Sequence, residues 1–317
     1  MPVLGIHHVT CIAGDPQENL DFYAGLLGMR LVKRSVNQDD PGTYHLFYAD
    51  GAGTPGSDLT FFPWPHLSPG RQGAGLTNEV SLAVPPDSLD YWRRRLADAG
   101  ARVGTASSRF GERVLPVTDP HGLPLVLVEA DPDREFTPWA ASPVPADRQI
   151  RRIHGVRIVE HALDLIGDTL GDVLGYQPRG EEDGWRRFAV GEGGSGRVLD
   201  VREAPDAPRG RWGQGSVHHV AYRVPDDETQ AATRRLALEA ALRPTPVIDR
   251  FWFRSVYFQE PGGALFELAT DGPGFGVDED AAHLGERLVL PPWLEPERAS
   301  IETALPPLRP AVRPGTG

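Results

Sequence analysis

The order strand, helix, three strands can be traced four times along this chain, which leaves few folds open to it. The first copy opens with LGIHHVTCIA, turns at GDPQ, and continues into ENLDFYAGLLGMR. Leu20, Tyr23 and Leu27 share one face of that predicted helix, and Gly28 is placed to stop it. LVKRSV, TYHLFYAD and SDLTFFPW follow as strands. The second copy starts at NEVSLAVP, with a helix over SLDYWRRRLADAG carrying Leu89, Trp92 and Leu96, then strands around RFGERVLPVTD and LPLVLVEA. The third starts at IHGVRIVE; its helix ends in VLGY, an echo of LLGM, before WRRFAVG and GRVLDVRE. The fourth runs from SVHHVAYRVP through a helix over ETQAATRRLALEAAL to RSVYFQEPGGALFELAT.

The expected class is therefore α+β, with four βαβββ modules forming two paired-sheet domains. Modules one and two occupy an N-terminal domain, 1–131, and modules three and four a C-terminal domain, 150–270. Residues 132–149, rich in Pro, Asp and Ala, read as a linker. Residues 271–317, with many prolines, read as a wrapping tail with one short helix.

Composition narrows the function classes. A net charge of −12 is a poor match to a nucleic-acid binder, which needs a basic face. One cysteine, Cys11, excludes an intrachain disulfide, a cysteine zinc site and an iron–sulfur cluster. No apolar run reaches the ~18 residues of a membrane span, and the first residues read as a strand instead of a signal peptide. A cytoplasmic chain without membrane or nucleic-acid partners is expected; a homo-oligomer is compatible with all of this.

Two modules carry paired histidines, His7–His8 and His218–His219, and the fourth adds Glu267 inside the apolar run ALFELA. Strand alternation puts His8, Thr10 and Ile12 on one face and His7, Val9 and Cys11 on the other. One histidine of each pair is then expected to enter a cavity while its neighbour points away; alternation does not say which. When the modules are overlaid, His8 and His219 share a slot held by Gly155 in the third and Glu79 in the second. Val126 takes the place of Glu267. One site, shared by modules one and four, is the economical reading. A carboxylate buried in a strand needs a cation or a hydrogen-bonded network. Two imidazoles and one carboxylate suit a half-open metal centre.

The modules together with HHVT, HHVA and GGALFE make the chain resemble the vicinal oxygen chelate superfamily. Within it, the segments GIHHVTCIAGDPQENLDFY, YHLFYADGAGTPGSDLTFFPW, GSVHHVAYRVPD and DRFWFRSVYFQEPGGALFE are similar to ring-cleaving dioxygenases of hydroquinones. The resemblance implies Fe(II), or another divalent metal in purified protein, held by His8, His219 and Glu267. It implies a small aromatic substrate and O2 as partners, with a semialdehyde-type ring-opened product. It also implies a pocket lined by His7, Arg250 and Tyr257, with His7 and Tyr257 as acid–base groups and Arg250 facing a developing oxyanion. Arg254 is a further candidate there; His218 reads as core, and His45 as a strand histidine near the site. Leu265, sharing the parity of Glu267, and Thr10 are expected pocket walls. Competing readings are a catechol dioxygenase, an isomerase-like metalloenzyme, which normally needs a second metal-binding Glu, and a metal-free aromatic-binding resistance protein.

Overall fold

A computed structural model describes residues 2–130 and 136–312. Residues 132–135 of the expected linker and 313–317 of the expected tail lie outside the described residues. Module one supplies β1 (Ile6–Ala13), α1 (Pro16–Leu20), β2 (Arg30–Asn37), β3 (Asp40–Ala49) and β4 (Asp58–Pro63). Module two supplies β5 (Leu76–Val84), α2 (Leu89–Asp98), the short β6 (Arg102–Val103) and β7 (Ser107–Arg109), β8 (Glu112–Thr118) and β9 (Pro124–Glu129). Module three has β10 (Arg152–Glu160), α3 (Asp164–Asp168), β11 (Gln177–Glu182), β12 (Trp185–Ala189) and β13 (Val198–Glu203). Module four has β14 (Ser216–Val224), α4 (Asp227–Glu239), β15 (Ile248–Asp249), β16 (Arg254–Gln259) and β17 (Leu265–Thr270). The tail adds α5 (Arg298–Ala304).

Sheet pairing crosses the linker. An eight-stranded sheet runs β15-β16-β17-β14-β1-β4-β3-β2, joining module four to module one. A nine-stranded sheet runs β11-β12-β13-β10-β5-β9-β8-β6, joining modules three and two, with β7 on β8. The first and last modules therefore adjoin, as a site shared between them requires.

The glycines of LLGM and VLGY close the first and third helices in the same way. Each helix widens in its last turn, with Leu27 N–H donating to Phe22 O and Leu174 N–H to Thr169 O. Gly28 and Gly175 then adopt φ of +69° and +79°. This lets Met29 and Tyr176 donate back to Tyr23 O and Leu170 O. Strand β11 escaped the sequence reading because QPRGEE lies at a sheet edge, almost wholly exposed, with no buried face to impose alternation.

A buried carboxyl pair joins modules three and four. Glu160, unexposed, faces Glu260, which accepts from Gly262 and Ala264 N–H at 2.7 and 2.6 Å. Desolvation and the Glu260 charge push the Glu160 carboxyl up from 4.5 to about 8. The folded chain thus binds more protons than the unfolded one between those values, and stability falls as pH rises through that window. Glu160→Gln, neutral throughout, is expected to lessen that fall, leaving only the part due to Glu260, whose carboxyl burial also raises. Melting temperatures across the window check this; equal declines in both chains would contradict it.

Candidate metal centre

Strands β1 and β14 run antiparallel at the middle of the eight-stranded sheet, and their ladder slips twice. Ile6 faces Tyr222 but His8 faces Ala221, so His7 is an extra residue in β1. Thr10 faces His219 but Cys11 faces Val217, so His218 is an extra residue in β14. These two β-bulges correct the alternation expected above. A bulge re-aims the side chains around it, and neither first histidine turns away from its neighbour. His7 Nδ1 lies 2.9 Å from His8 Nδ1, and His218 Nδ1 lies 2.8 Å from His219 Nδ1. The second sheet keeps the bulges, at His154 and Asn78.

The far nitrogens of the two inner imidazoles converge with Glu267. His8 Nε2 is 3.3 Å from His219 Nε2, and Glu267 Oε2 is 3.3 Å from the first and 2.9 Å from the second. All three residues are nearly or wholly buried. They form the one group of this kind found among the described residues. Glu267 stands there because β17 runs parallel to β14 with Ala221 opposite Glu267. Its other oxygen accepts from Ser255 Oγ at 2.5 Å.

The proton inventory shows what is missing. His7 Nδ1 and His8 Nδ1 share one hydrogen bond, whose donor depends on the tautomer. With His8 Nδ1–H as the donor, His8 Nε2 presents a lone pair to the cluster. Burial, with His8 beside it, holds the His7 ring down to about 3, so it stays neutral. His218, desolvated next to His219, is held to about 3 in the same way. Three potential ligand atoms therefore converge in a buried site, and Glu267 Oε2 has no hydrogen-bond partner. A cation resolves this. Two donors each about 2.1 Å from an ion and at right angles lie about 3.0 Å apart, close to the separations here.

The cavity beside the cluster is lined by His8, His219, His45, Phe47, Phe62, Trp252, Phe253, Tyr257, Arg250 and the β2–β3 turn. Tyr257 pairs with Glu267 across the β16–β17 ladder, its ring 5.6 Å from that of His219. Burial and Glu267 raise its phenol above the ordinary value. The Arg250 guanidinium lies 5.5 Å from the Tyr257 ring and bonds both oxygens of Asp39, at 2.8 and 3.2 Å. His45 Nε2 pairs with Thr60 Oγ at 2.9 Å, and Thr60 Oγ with Thr10 Oγ at 2.8 Å.

Several expected residues stand elsewhere. His7 is absent from the cavity wall and its Nδ1 is paired with His8 Nδ1, so its expected reach to a substrate oxygen is corrected. His218 also differs from a core residue, being stacked at 4.6 Å on the exposed Trp212. Leu265 lines an outer groove instead, because it lies opposite Gln259 toward the strand end. Thr10 is turned into its bond with Thr60. Arg254 is exposed and paired with Asp227. Ser255, Phe47 and Phe62 were missed. Parity could have found Ser255 from Tyr257 and Phe47 from His45, and Phe62 shares parity with Thr60 on β4.

In the nine-stranded sheet the matching slots hold Gly155, Glu79 and Val126. Arg109 lies 2.6 Å from Glu79, and Arg157 bridges Glu79 at 3.8 Å and Asp200 at 3.2 Å. Arginine thus supplies the positive charge there, which fits one centre per chain.

Residues 5–127 match the family model of the Glyoxalase/Bleomycin resistance protein/Dioxygenase superfamily, and the chain belongs to that superfamily. It is 42% identical over 304 residues to the Bacillus subtilis protein named "Putative ring-cleaving dioxygenase MhqO", covering 96% of each chain. It is 33% identical over 301 residues to chlorohydroquinone/hydroquinone 1,2-dioxygenase of Sphingobium indicum, covering 92% of this chain and 93% of that one. A crystal structure of a "putative dioxygenase" from Bacillus subtilis superposes with a TM-score of 0.93 at 41% identity, over 98% and 99% of the two chains. Glyoxalase I of Zea mays, at 14% identity and a TM-score of 0.63 over 84% and 92%, shares the fold. No helix among the described residues is long and apolar enough to cross a membrane.

Proposed function

We propose that the chain is an Fe(II)-dependent dioxygenase that opens hydroquinone-type rings, with His8, His219 and Glu267 as the metal ligands. The observation that carries this reading is the buried convergence of two imidazole nitrogens with a carboxylate oxygen that has no hydrogen-bond partner. Likeness to a hydroquinone 1,2-dioxygenase supports the substrate class. Bound Fe(II) supplies open coordination positions and the redox chemistry between a phenolic ring and O2.

The chain's own residues do the rest. His7 and His218 orient the two ligand rings through Nδ1 and fix their tautomers, a role that outer hydrogen bonds commonly play. Phe47, Phe62, Trp252 and Phe253 exclude water and offer faces to an aromatic ring. Tyr257, protonated at neutral pH, gives or takes a proton at a ring oxygen. Arg250 keeps its charge beside Tyr257 and stabilises negative charge that develops there.

Oxygen consumption by the Fe(II)-loaded chain tests the reading. Hydroquinone should be consumed with O2 uptake while catechol is left untouched. The reverse preference would move the chain to the catechol class; uptake with neither would refute the dioxygenase reading.

A further inference from the structure

Lys33 lies opposite Phe47 in the β2–β3 ladder and so shares the concave face of the sheet, wholly buried. An ammonium is rarely buried without partners, and for Lys33 its hydrogen-bond and ion-pair partners among the described residues come from the C-terminal tail. Its Nζ lies 2.7 Å from Asp278 Oδ1 and 2.5 Å from Glu279 Oε2, and donates to Phe275 O at 3.2 Å. The second Asp278 oxygen accepts from the Trp252 indole at 3.1 Å, and Gly274 N–H donates to Trp252 O at 2.8 Å. The Phe275 ring meets Phe47 at 5.4 Å and Trp252 at 6.5 Å. Leu284 and Val289 join the same apolar cluster, and Val289 N–H donates to Arg34 O at 3.0 Å.

Trp252 therefore has one face on the metal cavity and its backing in the tail, while Phe253 beside it packs on the His7 and His8 rings at 5.4 and 5.2 Å. They sit in a bend between β15 and β16, next to Phe251 at φ +73°, without a strand ladder of their own. The facing wall, His45, Phe47 and Phe62, stands on interior strands. The cavity measures about 40 Å³. An apolar cavity that holds benzene is nearer ~150 Å³. A ring must displace a wall to enter, and the wall that can yield is the one the tail supports.

We infer that the segment Phe275–Val289, pinned by Lys33, sets how bulky an aromatic ring the site accepts. This rests on the dioxygenase reading above. Tail residues that do not line the cavity then act as specificity residues, through the position of Trp252.

Two variants test it. Phe275→Ala removes bulk behind Trp252 and leaves the ion pairs in place. Lys33→Met combined with Asp278→Asn and Glu279→Gln releases the pin without stranding a buried charge. Co(II)-loaded protein, titrated anaerobically with hydroquinone and with tert-butylhydroquinone, reports ring binding through its visible absorption, without turnover. The wild-type chain is expected to favour hydroquinone, and either variant to cut that preference about tenfold, the scale on which pocket bulk discriminates. Metal stoichiometry should not change. A preference unaltered in Phe275→Ala and in the pin variant would overturn the inference and leave the dioxygenase reading standing. Wild-type protein that loads Co(II) and binds neither ring would overturn both.

Discussion

The Glu267→Ala chain is expected to hold no stoichiometric divalent metal and to show no oxygen-dependent turnover. Glu267 is the one anion among the three converging groups. With it, a divalent ion in the buried site keeps a net charge of about +1; without it, two neutral imidazoles face the full charge in a medium that solvates ions poorly. The loss should exceed the roughly 10–100-fold in metal affinity that follows removal of an outer partner. Fold should survive, because the position is met in β9 by Val126, which the same architecture packs without exposure. Metal analysis after gel filtration, with circular dichroism to confirm the fold, checks this. A variant that retains both metal and turnover would remove Glu267 from the centre.

Tyr257→Phe should leave the metal in place and slow turnover by about 10²–10⁴-fold, the usual contribution of a general acid or base. The phenol lies beside Arg250 and across the ladder from Glu267, and its raised pKa keeps the proton available at neutral pH. The loss should appear in kcat, with substrate affinity changed little, since the ring itself is kept. Full activity in this variant would take Tyr257 out of the mechanism.

The repeat and the approximate strand positions were legible because buried faces impose period-two alternation and glycines such as Gly28 punctuate it. The convergence of His8, His219 and Glu267 was legible for a related reason: overlaid modules differ where a ligand is kept or lost. The bulges were not legible. A one-residue slip is a property of two paired strands, and HHVT alone looks like an ordinary alternating run. That is why one histidine of each pair was expected to turn away from its neighbour, when in each pair the two join Nδ1 to Nδ1. The aromatic walls were half legible: Phe47 follows from parity with His45, and Phe62 from parity with Thr60. Trp252 and Phe253 stand in a bend whose course the tail decides, and that contact joins segments no local pattern relates.

The most direct test of the central claim is anomalous diffraction from crystals of the chain loaded anaerobically with Fe(II). The expected result is a single iron peak per chain, about 2.0–2.2 Å from His8 Nε2, His219 Nε2 and a Glu267 oxygen. A peak elsewhere, at Glu79 and Asp200 of the second sheet for example, or no peak at these three residues under saturating iron, would contradict it.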